Sequence, residues 1–262
     1  MAARAIWKGT IRFGDVAVPV KLYSAVEERG VHLRLLHAKD GTPVKQVMVH
    51  PGTGEPVPHD QVRKGYDTGE GSIVILSDEE LESLEPEASR DVEVTEFVEP
   101  RLIGYPWYDR PYYLGPDGNE AAYSALARAL EAEGKEGVVR WTMRKKEYVG
   151  ALRAEGGHLE LITLHHASEI VDASTLPRPK GRAPEKQELQ MAEQLVKALA
   201  GEFDVGAYRD EYREKVLELV EKKARGEALK LGPPKRRKAE AASLTDVLRA
   251  SLERVKEERQ VA

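Results

Sequence analysis

Residues 4–23 alternate apolar and polar positions, with one break at Gly14-Asp15. Trp7, Gly9, Ile11 and Phe13 share one face, while Ile6, Lys8, Thr10 and Arg12 share the other. A period of two marks a strand with one face toward a core. Two strands are therefore predicted, over residues 4–13 and 15–23, turned at Gly14-Asp15. Pro19 lacks an N–H for a sheet ladder, which argues for an edge position or a bulge in the second strand. His32–Leu36 and Val44–Val49 flank Asp40-Gly41 as a hairpin would. The run Ser72–Leu76 reads as a short buried strand, and Ser77 followed by Glu80 is a capping box that opens a short acidic helix. Asp91–Glu99 alternates apolar and acidic residues, as a half-buried strand does.

The pattern then loosens. Residues 101–118 are rich in aromatics, Pro and Gly and read as a loop-dominated stretch. Tyr123, Leu126 and Leu130 return at helical spacing within a helix over residues 121–132. Three more strands follow, Val138–Arg144, Tyr148–Arg153 and Leu159–Leu164, the last two turned at Gly156-Gly157. Many short strands with few helices predict an α+β fold built on a β-barrel. A Pro-rich linker over residues 177–184 closes that unit. Beyond it, Leu189, Ala192, Leu195, Val196 and Leu199 make one apolar helical stripe, and Tyr212, Val216, Leu219 and Val220 a second that ends near Gly226. Pro233-Pro234 stops any helix. Leu244, Val247, Leu248, Leu252 and Val255 then form one apolar face of a short amphipathic helix, capped by Ser243 and too isolated to be stable alone.

Charge changes this picture more than composition does. The formal net charge of −5 argues against a nucleic-acid binder, but its distribution argues the other way. Residues 67–100 hold twelve acids against one base, residues 222–238 hold eight bases against one acid, and residues 1–66 net +4. Such polarity can build a basic face and an acidic outer face on one molecule. It is equally what a solvated surface with a disordered basic tail would show. The chain has no cysteine, which excludes disulfides and Cys-based zinc sites. Mean hydropathy is −0.51 and no long apolar run occurs, so no membrane span is expected. No apolar stretch follows the N-terminal basic residues, so a cytoplasmic location is expected.

The motifs of enzyme sites are missing. The chain has no phosphate-binding G-x-x-x-x-G-K-[ST] loop, no G-x-G-x-x-G, no G-x-S-x-G and no H-E-x-x-H. His165-His166 is the only adjacent histidine pair, and neighbours on a strand point to opposite faces. No catalytic residue, cofactor or metal is therefore expected. Basic residues offer the positive evidence. Arg140, Arg144, Lys145, Lys146 and Arg153 cluster on a predicted hairpin, while Lys8, Arg12, Lys21, Arg34, Lys39, Lys45 and Lys64 are spread over the N-terminal strands. Lysines and arginines along a surface, without base-reading geometry, suit phosphate contacts. By sequence alone, each also reads as solvated surface.

Several separated motifs carry a family resemblance. The run Arg4-Ala5-Ile6-Trp7-Lys8-Gly9-Thr10-Ile11-Arg12-Phe13-Gly14, then Val16-Ala17-Val18-Pro19-Val20-Lys21-Leu22-Tyr23-Ser24-Ala25, resembles the opening of prokaryotic Ku, the DNA-end-binding protein of bacterial non-homologous end joining. Leu36-His37, Lys39-Asp40-Gly41, Lys64-Gly65-Tyr66 and Lys145-Lys146-Glu147-Tyr148 fall in family order. Met191-Ala192-Glu193-Gln194-Leu195, Gly201-Glu202-Phe203-Asp204 and Tyr208-Arg209-Asp210-Glu211-Tyr212-Arg213 resemble the C-terminal arm of that family. The likeness covers residues 1–230. Some relatives carry a Cys pair near the early hairpin. The corresponding stretch here is Val49–Pro56, where turn residues do the structural work.

The resemblance implies a Ku-type barrel core over residues 1–175 that encircles DNA, a helical arm over 176–228 that dimerises, and a flexible basic tail over 229–262 that carries a ligase-interacting helix. It implies sequence-independent binding, bridging and protection of double-stranded DNA ends by a ring-shaped homodimer that recruits DNA ligase D. Candidate DNA contacts are then Lys8, Arg12, Lys21, Arg34, Lys39, Lys45, Arg140, Arg144, Lys145, Lys146, Arg153, Lys235, Arg236, Arg237 and Lys238. Leu195, Leu199, Val216 and Leu219 are expected to be buried in the arm or across the dimer, and Leu244, Val247, Leu248, Leu252 and Val255 to meet the ligase. Trp7, Trp107 and Trp141 are expected to pack rather than stack on bases, because duplex ends need not be unstacked for capture. Tyr105–Tyr113 offers either an aromatic partner surface or ordinary loop packing. Three alternatives stand beside this reading: an enzyme of undetected class, a nucleic-acid chaperone indifferent to ends, and a scaffold that binds no DNA.

Overall fold

The computed structural model describes residues 4–178, 180–227 and 244–261, with side chains in the last segment described for residues 245–254. The elements in chain order are β1 (Trp7–Phe13), β2 (Val16–Ser24), β3 (Lys64–Asp67), β4 (Ile73–Leu76), α1 (Asp78–Ser83), β5 (Asp91–Val98), β6 (Tyr108–Pro116), α2 (Glu120–Glu133), β7 (Glu136–Met143), β8 (Lys146–Glu155), β9 (His158–Leu164), α3 (Lys186–Ala198), α4 (Glu211–Ala224) and α5 (Leu244–Val261). The chain divides into two compact units.

The first unit holds residues up to Arg29 and Arg34–Thr175. Seven strands close a barrel in the order β1-β2-β6-β9-β8-β7-β5. Most neighbours are antiparallel, and a short parallel pairing of β1 with β5 completes the closure. Alternation along the strands fills the interior with Ile11, Val18, Val20, Leu22, Val92, Leu114, Val139, Leu152, Leu159 and Leu161. Helix α2 covers β2 and β8 with Tyr123, Leu126 and Leu130. The Asn119 side chain caps its start, and Gly134 ends it in the left-handed conformation at φ 58°. The Tyr123 hydroxyl donates to the Leu114 carbonyl at 2.6 Å and accepts from the Leu159 N–H at 2.8 Å. Leu114 and Leu159 are register partners at the end of the β6–β9 ladder, so the hydroxyl finishes that ladder. Two glycines allow close ring packing. A side chain at Gly9 would strike the Trp7 ring, and one at Gly150 the Trp141 ring. Trp141 is buried and stacks on Tyr148 with centroids 5.3 Å apart.

Four expectations are corrected. The 101–118 stretch contains β6, a barrel strand, after two short 3-10 turns at Pro100–Leu102 and Tyr105–Trp107. Its Pro content misled because Pro111 sits at a register shift, where the Thr163 hydroxyl accepts from the Arg110 N–H at 2.9 Å. Pro19 lies in an interior strand, not at an edge or bulge. Its carbonyl accepts from the Asp117 N–H at 3.0 Å, so its nitrogen also faces β6, at the end of that ladder, where the missing donor breaks no bond to β1. The run Ser72–Leu76 yields β4 (Ile73–Leu76), which pairs only with β3 among the described residues and is exposed, Ile73 at 70% and Ile75 at 65%, because none of those residues covers the ribbon. Around Asp40-Gly41 a turn forms without strands, joined by one bridge between Leu36 and Pro43. Asp40 Oδ1 holds it, accepting from Thr42 N–H at 3.1 Å and the Thr42 hydroxyl at 2.8 Å and bonding His37 Nδ1 at 2.8 Å. The segment His50–Glu55 repeats the same backbone pattern, with Gly54 donating to the His50 carbonyl as Gly41 does to His37.

The second unit holds Gly30–Leu33 and the chain from Leu176. Helix α5 packs on α3. Glu188 of α3 is buried under bonds from both Arg182 terminal nitrogens, at 2.7 and 2.5 Å, and from the Glu185 N–H at 2.8 Å. These donors, Arg182 first, hold its carboxyl down to about 2. The Thr245 hydroxyl of α5 lies 3.5 Å from the same carboxylate. Among the described residues, no helix is long and apolar enough to cross a membrane.

Candidate nucleic-acid interface

The barrel strands turn their polar positions outward, and this sets where the basic side chains sit. The short hairpin between β1 and β2 places Lys8 directly opposite Lys21. Like charges in that position repel, and Asp117, just past β6, resolves the conflict. Its two oxygens take one ammonium each, Lys8 at 2.9 Å and Lys21 at 2.8 Å. The bond from Lys21, then that from Lys8, holds the Asp117 carboxyl below the usual carboxylate range, and the same bond raises the Lys21 ammonium. Arg12 pairs with Asp91 at 2.9 Å. Arg12, Glu93 and Arg140 form one row across β1, β5 and β7, because Glu93 is the register partner of both arginines.

The β7–β8 hairpin supplies the second cluster. Met143 pairs with Lys146, so Arg144 and Lys145 are the whole loop. Both adopt left-handed backbone, at φ 51° and 64°. A two-residue turn of this hand is normally Asn-Gly or Asp-Gly, because a side chain there strains the backbone. This hairpin carries two cations instead. The Lys145 ammonium bonds Glu85 at 3.1 Å, which raises it, while Arg144 and Lys146 stand exposed.

The structure thus sorts the candidate contacts. Lys8, Arg12, Lys21, Lys145 and Arg153 are each matched to a carboxylate. Arg153 is the most tightly held, between Glu160 at 2.7 Å and Glu155 at 3.2 Å; burial works against its charge, and the two acids outweigh it. Lys64 pairs with Asp78 at 2.9 Å. Arg34, Lys39, Lys45, Arg140, Arg144 and Lys146 are exposed and have no ion-pair partner among the described residues. Lys235, Arg236, Arg237 and Lys238 lie outside the described residues. Sequence reasoning missed Asp117. The one cue was the Lys8–Lys21 opposition, which a two-residue turn at Gly14-Asp15 already imposes.

The remaining candidates divide likewise. Trp7 and Trp141 pack with the core, and Trp107 is half-buried. Tyr112 is buried, while Tyr105 at 94% exposed leads the aromatic stretch. Leu195, Val216 and Leu219 are half-buried, but Leu199 is 64% exposed, so burial within the arm does not hold for it: α3 ends at Ala198, one residue before. On α5, Leu252 is buried, Leu248 half-buried and Val247 exposed, so the apolar face is partly in use. The side chains of Leu244 and Val255 lie outside the described residues. His165 and His166 follow β9, and both engage Glu169.

A family model described as the Ku70/Ku80 beta-barrel domain matches residues 12–191. The chain is 40% identical over 252 residues to the non-homologous end joining protein Ku of Anaeromyxobacter sp. (strain K), covering 95% of this chain and 85% of that protein. It is 35% identical to the protein of the same name from Archaeoglobus fulgidus, over 97% of this chain and 100% of the relative. With that of Bacillus subtilis (strain 168) it shares 33% identity, over 96% and 82%.

Proposed function

Because the chain belongs to the Ku family, we propose that it binds double-stranded DNA ends without regard to sequence in non-homologous end joining, as a ring-shaped homodimer that bridges and protects the ends and recruits DNA ligase D. The observation that carries the ring is the excursion of residues 25–90 between β2 and β5. Leu35, Val47, Tyr66, Ile73 and Ile75 there, all in the first unit, are each more than 60% exposed, and the excursion has no core of its own. Apolar surface on that scale marks an interaction site. A second copy is the economical cover, since a two-fold contact lets one surface bury itself. The exposed Val196 of α3, Leu199 just past its end, and Tyr212 and Val220 of α4 support an arm that takes part. The family's barrel over residues 1–175 then forms the DNA-encircling core, 176–228 the arm, and 229–262 the tail.

The chemistry of the basic residues supports this reading. They offer charge for phosphates and, on exposed turns and strands, nothing shaped to read base edges. A machine for arbitrary breaks needs that indifference. Arg34, Lys39, Lys45, Arg140, Arg144 and Lys146 are the first phosphate contacts, since no carboxylate among the described residues matches their charge. Lys235–Lys238 add a counterion-release term of the same kind. The ligase would take α5, whose Val247 remains exposed and whose Leu248 and Leu252 become available once α5 leaves α3.

A closed ring must load at a terminus. Linear duplex is expected to bind, and circular or bulk-capped duplex of the same sequence is not. Equal affinity for circles would favour a chaperone indifferent to ends and remove the ring. Leu195→Ala with Leu219→Ala is expected to shift the dimer to monomer by light scattering, each truncation removing packing of about 2–5 kcal/mol if fully buried. Deleting residues 239–262 is expected to spare end binding and remove stimulation of ligase D. Full stimulation by that truncation would move the ligase contact to the core.

A further inference from the structure

We infer that Lys8 and Lys21 form a two-ammonium seat for one backbone phosphate, which Asp117 fills in the absence of DNA, so that Asp117 limits how tightly the barrel holds a duplex. The inference rests on the proposed DNA binding and adds a residue that regulates it. Lys8 and Lys21 are direct cross-strand partners, an arrangement that costs stability unless an anion lies between them. Asp117 supplies that anion with one oxygen per lysine, at 2.9 and 2.8 Å. A phosphodiester presents its two non-bridging oxygens in the same way, and lysine binds phosphate as a point charge. The lysines are therefore already ordered on an anion of the right valence.

The seat is accessible. The side chains of Lys8, Lys21 and Asp117 are 55%, 32% and 29% exposed, so an incoming phosphate can reach both ammonium groups. Ion pairs this exposed are weak, so exchange of carboxylate for phosphate meets little resistance. Asp117 does not leave the seat altogether. Its N–H stays on the Pro19 carbonyl at 3.0 Å, which keeps the carboxylate beside the lysines as a standing competitor. Its withdrawn pKa, set by Lys21 and then Lys8, keeps it anionic at every physiological pH. A competitor built into the barrel weakens the grip at each phosphate passed, which suits a ring that must move inward from an end.

The experiment is a salt titration of linear-duplex binding by the full chain. Asp117→Asn is expected to bind up to roughly eightfold tighter at 0.1 M salt and to steepen the slope of log K against log salt by up to about 0.9, the value of the one phosphate that the carboxylate contests. Lys8→Gln with Lys21→Gln reads the seat from the other side, flattening the slope, and in that background Asp117→Asn is expected to do nothing. Wild-type binding with an unchanged slope in Asp117→Asn would overturn the seat alone. Tightening of the same size without the two lysines would overturn it too, by tracing the effect to bulk charge. Wild-type protein that bound no duplex would overturn the seat together with the function it rests on.

Discussion

At the β7–β8 turn the stability of the fold and the proposed phosphate contacts make opposite demands. Arg144 and Lys145 both sit in left-handed backbone, which costs an ordinary residue about 1–2 kcal/mol each. Asn-Gly relieves that strain, and the greater freedom of Gly in the unfolded chain returns about 0.5–1 kcal/mol of the gain. Arg144→Asn with Lys145→Gly is therefore expected to stabilise the fold by about 1 kcal/mol, a rise in Tm of about 2–4 °C for a chain of this size. Loss of the exposed Lys145–Glu85 pair subtracts little. The same change removes two candidate phosphate contacts. Each is worth about 0.9 in the salt slope, so the slope should flatten by up to about 1.8 and affinity at 0.1 M salt fall roughly eightfold per contact. Thermal unfolding and fluorescence anisotropy on one labelled linear duplex, at several salt concentrations, read both effects. A more stable variant with weaker, flatter binding is the expected result. A less stable variant with an unchanged slope would mean that the two cations serve the turn and point away from DNA.

Two further predictions test the frame of each unit. Tyr123→Phe removes the hydroxyl that joins Leu114 to Leu159 and leaves the Leu159 N–H buried without its partner; a loss of about 1–3 kcal/mol is expected in denaturant titration, and an unchanged midpoint would show the ladder end is closed some other way. The Glu188 carboxyl is depressed to about 2 in the fold, below its usual value near 4.5, so its stabilisation is full above pH 4.5 and lost as pH falls toward 2. Amide protection in α3 and α5, taken as exchange relative to the unstructured rate at each pH, is expected to fall over that window and to lose that acid sensitivity in Glu188→Gln; an identical acid response in the variant would assign the transition to other carboxylates.

Local chemistry was legible along the chain, and long-range pairing was not. The β1–β2 and β8–β9 hairpins, the Ser77–Glu80 capping box and helix α2 all follow from period, turn residues and caps within a few positions of one another. Such features carry their determinants with them, so the sequence by itself decides them. Strand β6 escaped because its Pro and aromatic residues break the period, and the Arg110 backbone at the bulge is satisfied by the Thr163 hydroxyl, on β9, far along the chain. The exposure of β4 escaped because an apolar run states that a surface needs cover, not that the chain supplies it. The parallel closure of β1 on β5 and the meeting of Lys8 and Lys21 with Asp117 join residues that no local pattern relates. The sequence thus determined which residues are cationic and which faces they occupy. Only the tertiary structure decided which of those charges are already matched, because a Coulomb partner is chosen by distance in space, and closing the barrel is what brings the partners within 3 Å.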